Sequence, residues 1–67
     1  MLNTSALLDV IHQKGLKLGH VAEKMGVSRQ TFALKLNGES EFKVSEIETL
    51  VDTLNLSTEQ RDKIFFA

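Results

Sequence analysis

The sequence predicts an all-α domain built from five short helices, and three observations lead there. Apolar residues recur at i, i+3, i+4, i+7 in two segments, Leu18/Val21/Ala22/Met25 and Ile47/Leu50/Val51/Leu54, the spacing of one helix face. There is no proline and no alternating β-branched run to suggest a strand. Gly15, Gly26 and the pair Asn37–Gly38 fall between the periodic segments, where helix stops and turns belong.

The elements follow in order. Thr4 or Ser5 is expected to cap a first helix that ends near Lys14, with Gly15 as its stop. Its apolar set is Leu7, Leu8, Val10 and Ile11. The second helix carries the Leu18–Met25 pattern and ends at Gly26, since glycine takes the left-handed conformation without a Cβ penalty. Val27 sits in the turn, and Ser28 caps a third helix that runs to about Leu36, with Phe32 and Leu36 on one inward face. "NGES" at 37–40 turns the chain, and Phe42 and Val44 are expected to return it to the core. The fourth helix holds Ile47, Leu50, Val51 and Leu54. Ser57 with Gln60 three residues later forms a capping box for a fifth helix, which offers Ile64, Phe65 and Phe66.

Composition sets bounds on function. A chain of 67 residues allows one domain, 1–67, and so small a domain buries only about 60% of its unfolded surface. It has no cysteine, hence no disulfide and no thiolate metal site. Apolar runs are short, and "MLNTSALLDV" shows neither a basic flank nor a signal-peptide pattern. A cytoplasmic soluble protein is the expectation, with no membrane partner. His12 and His20 lack further ligands at metal-binding spacing, and no nucleophile–base arrangement or phosphate loop is present. Neither an enzyme nor a cofactor or metal protein is expected.

A formal net charge of −1 does not favour nucleic acid, but its distribution is uneven. Residues 1–38 carry five cations and two anions; residues 39–67 carry three cations and seven anions. A phosphate-facing surface therefore belongs to the first part.

The middle of the chain is the informative part. A helix, a short glycine-containing turn and a second helix make a helix-turn-helix unit. Ala22 is small enough to let the two helices approach, and Gly26 makes the turn. The first turn of the third helix then projects Ser28, Arg29, Gln30 and Thr31, all able to hydrogen-bond and none acidic. Leu34 lies about 200° around the helix from Phe32, so it faces outward.

"LGHVAEKMGVSRQTFALKLNG", followed by an apolar-patterned helix and "LNLS", resembles the Cro/C1 repressor type of helix-turn-helix, the XRE family of phage and bacterial regulators. The resemblance covers about residues 5–56, and "LNGESEFKVSEIETLVDTLNLSTEQRDKIFF" is similar to small Cro-type regulators of phages. It implies a lambda-repressor-like domain, a sequence-specific transcriptional regulator whose third helix, about 28–36, enters the major groove.

Under that resemblance, Ser28, Arg29, Gln30 and Leu34 meet base edges. Arginine pairs with guanine, glutamine with adenine, and leucine packs on a thymine methyl. Lys17, Thr31, Lys35, Asn37 and Lys43 contact the DNA backbone, aided by the N-terminus of the second helix. Leu18 departs from the family, which often has a phosphate-binding glutamine there; a leucine packs instead. Such proteins act as dimers on half-sites, and Ile64, Phe65 and Phe66 are the expected dimer or partner contacts. The alternative is a phage-type antirepressor that grips a repressor protein through the same fold, with Leu34 on the gripping face.

Overall fold

Asn3, rather than Thr4 or Ser5, caps the first helix: its side-chain oxygen accepts the Ala6 N–H at 3.1 Å. In the computed structural model, which describes residues 2–66, α1 spans Thr4–Gln13. Thr4 is already helical, and its hydroxyl donates to the Leu36 carbonyl at 2.8 Å. A tertiary hydrogen bond has taken the side chain that local chemistry offered as a cap. Leu7, Val10 and Ile11 are buried, whereas Leu8 is exposed and leaves the expected apolar set.

α2 (Leu18–Met25) stops at Gly26, whose φ of +76° is left-handed. There Gly26 N–H bonds to Glu23 O at 3.0 Å and Val27 N–H to Ala22 O at 3.1 Å, satisfying carbonyls that the helix end would orphan. Ser28 Oγ accepts the Thr31 N–H at 3.0 Å and starts α3 (Arg29–Leu36). α4 covers Val44–Leu54 and α5 covers Thr58–Phe65. The capping box that opens α5 is present, with Ser57 N–H to Gln60 Oε1 at 2.9 Å and Gln60 N–H to Ser57 Oγ at 3.1 Å. Among the described residues there are five helices and no strand.

The core gathers one face of every helix. Leu7, Val21, Phe32, Leu50, Leu54 and Ile64 are its largest fully buried side chains. α2 packs on both α3 and α4, while α1 packs on α5. The Asn3 N–H donates to Ile64 O at 2.6 Å, tying the start of α1 to α5. Phe42 joins as expected, edge-on to Phe32 at 6.2 Å and to Phe65 at 5.5 Å. Val44 does not: it is 73% exposed, because Phe42 alone makes the return and Val44 begins α4 beyond the core.

The C-terminal trio also divides. Ile64 and Phe65 are buried core residues, and only Phe66 is exposed. The expectation that all three contact a partner is corrected, since α5 needs two of them to close the domain. Among the described residues, no helix is long and apolar enough to cross a membrane.

Candidate nucleic-acid interface

α3 separates its two faces cleanly. Phe32, Lys35 and Leu36 are buried. Arg29, Gln30, Ala33, Leu34 and Asn37 are exposed. At 100° per residue these five fall within an arc of about 140°, a continuous outward stripe. Residues 28–38 include no aspartate or glutamate. The stripe therefore presents one cation, two amides and two apolar side chains.

Ser28 holds the start of this helix. Its hydroxyl accepts the Thr31 N–H and donates to Thr31 Oγ1 at 2.9 Å. Both hydroxyls are thus engaged with each other, and Thr31 is half-buried. Their main work is to fix the first turn of α3, with one acceptor position left on each for an outside donor.

Arg29 stands at the junction of α3 and α2. Its Cδ lies 4.0 Å from where a Cβ on Gly19 would sit, so the side-chain stem crosses the start of α2. With residues 15–20 it lines an open concavity at that helix end. Lys17 is the exposed N-cap there, in an extended conformation and without a side-chain capping bond. The first N–H groups of α2 have no intrahelical acceptor and carry the positive end of the helix dipole. Leu18 is half-buried against the core, as its apolar character requires.

Lys35 does not belong to the outward face. Its ammonium is buried, 3.0 Å from Glu46 Oε1 and 3.0 Å from the Glu41 carbonyl oxygen. It also sits 6.0 Å from the centre of the Phe42 ring. The expected phosphate contact is corrected: Lys35 is spent on joining α3 to α4. Glu46 also accepts the Lys43 N–H at 2.8 Å. Burial alone would raise the Glu46 carboxyl, but that hydrogen bond and the bond and charge of Lys35 outweigh it and hold the pKa below its ordinary value. Lys43 keeps an exposed side chain at the N-cap of α4. Asn37 is exposed at the C-cap of α3, ahead of Gly38 with its φ of +81°.

Sequence reasoning missed two things here. Ala33 lies between Arg29 and Asn37 on the same stripe and is exposed; the same 100° step that placed Leu34 outward would have found it. The same step puts Lys35 within about 60° of Phe32, on the inward face; only its partner, Glu46, eleven residues away, had no local signal. No family model, no curated protein and no solved structure matches this chain.

Proposed function

We propose that this chain is a sequence-specific DNA-binding regulator of the Cro/repressor type, in which α2, the Gly26 turn and α3 act as a helix-turn-helix. The observation that carries the reading is the outward stripe of α3, which is free of acids and flanked by the open N-terminus of α2. In this reading α3 lies in the major groove, with Arg29 and Gln30 meeting base edges. Ala33 and Leu34 are the apolar members of that face and suit thymine methyl groups. Lys17, Lys43, Asn37 and the first N–H groups of α2 meet phosphates. Two copies occupy half-sites about one helical turn apart, as a single recognition helix reads only a few base pairs.

Selection from a random duplex pool, followed by anisotropy over a salt series, tests this. A selected duplex should bind with an affinity that falls steeply as salt rises. Arg29→Ala with Gln30→Ala should abolish the preference for that duplex while the helical content stays unchanged. Absence of binding to any duplex at low salt sinks the proposal.

A second reading is favoured by one observation. Leu34, 40% exposed, makes one edge of the stripe apolar, which also suits a protein partner such as a repressor. Leu34→Ala that weakens binding to such a partner without changing DNA affinity would support it.

A further inference from the structure

We propose that the groove between α4 and α5 docks a short, cationic amphipathic segment of another protein. The groove shares no residue with the outward face of α3, so the inference stands whether or not α3 reads DNA. Val44 and Phe66 form its rims and are 73% and 60% exposed, far more than the other two exposed large apolar residues, Leu8 and Leu34. Half-buried Ile47 and Val51 line it between them. Two large apolar side chains held open on one groove gather exposed apolar surface in one place, with charged residues beside it.

The charge of the rim selects the occupant. Glu48 and Asp52 are exposed along the α4 side, one turn apart. The groove's cation, Arg61, is already paired with Asp62 at 3.0 Å, and its guanidinium sits 5.7 Å from the centre of the Phe66 ring. The net field over the opening is therefore negative and calls for lysine or arginine on the incoming chain.

Geometry sets its size. From Val44 to Asp52 the groove follows α4 for about 12 Å, roughly two turns of helix. That length receives two or three apolar anchors from one face of an amphipathic helix. A second copy of this chain fits poorly. Docking groove on groove would bring the acidic Glu48 and Asp52 of one copy toward those of the other.

A labelled Leu/Lys amphipathic helix of about 14 residues, roughly 21 Å long, is the probe, with a Leu/Glu helix of the same pattern as control. Anisotropy should show the Leu/Lys helix binding at least about tenfold more tightly, the equivalent of 1.4 kcal/mol. Amide chemical shifts should move around Val44, Ile47, Val51 and Phe66. Val44→Ser and Phe66→Ser change exposed residues, so the fold should survive, and each should weaken binding several-fold. Glu48→Lys with Asp52→Lys should reverse the preference to the Leu/Glu helix. Equal binding of both helices, shifts spread over the acidic surface away from the groove, or no binding overturns the proposal. So does a concentration-dependent dimer that Val44→Ser dissolves, which would make a second copy the occupant.

Discussion

Lys35→Met tests how α3 is held. In the folded protein the Lys35 ammonium is 3.0 Å from Glu46 Oε1 and 3.0 Å from Glu41 O, inside the domain. Methionine keeps the length of the apolar stem and removes the ammonium. Glu46 is then a buried carboxylate with one remaining donor, the Lys43 N–H at 2.8 Å. Breaking a buried pair from one side costs about 3–5 kcal/mol. A chain of 67 residues has a total stability of roughly 3–10 kcal/mol at the usual value per residue. The single variant should therefore lose about a third or more of its stability, with a fall in Tm of roughly 12–40 °C. Removing both charges, as Lys35→Met with Glu46→Leu, should return stability to within about 1–2 kcal/mol of the parent. The chain has no tryptophan or tyrosine, so urea unfolding is best followed by far-UV circular dichroism. A loss under about 1 kcal/mol for Lys35→Met is the scale of a surface ion pair. That result would refute the buried lock and return Lys35 to the set of phosphate contacts.

The same pair makes stability depend on pH. Glu46 titrates below its ordinary 4.5 in the folded state. Its contribution is fully present above that ordinary, unfolded value and is lost as pH falls through the folded one; Glu46→Gln should flatten that acid limb in a pH series of unfolding curves. Phe32→Ala empties the centre of the core, where the ring is fully buried, and should cost about 3–5 kcal/mol in urea unfolding. Gly26→Ala meets no atom within 4 Å, so its cost should be conformational alone, about 1–2 kcal/mol for the left-handed backbone. A much larger loss would reveal a packing role for that turn.

Legibility in the sequence tracks how local each interaction is. The stop at Gly26, the Ser28 cap and the Ser57/Gln60 box depend on residues within three or four positions, and all three stand where their chemistry suggests. The outward positions of Arg29, Gln30 and Leu34 follow from the 100° step between residues and are likewise exposed. Where two local solutions competed, local reasoning chose wrongly. Thr4 or Ser5 is the cap that local chemistry suggests for α1, but Asn3 takes that role while Thr4 turns inward to the carbonyl of Leu36, 32 residues away.

The sequence by itself determined the number of helices, the stops and starts set by Gly26, Ser28 and Ser57, and which face of α3 is apolar, because periodicity and capping are properties of neighbouring residues. Tertiary structure decided what became of the side chains whose fate depends on a distant partner. Lys35 left the candidate interface because Glu46 and Glu41 reach it across the α3–α4 junction. Ile64 and Phe65 left the candidate partner surface because the domain needs them to cover its core, while Val44 and Phe66 were left outside it. A side chain's class is written in the sequence; whether burial or solvent claims it is set by what the fold brings opposite, and in a domain this small a single long-range bond is enough to change the answer.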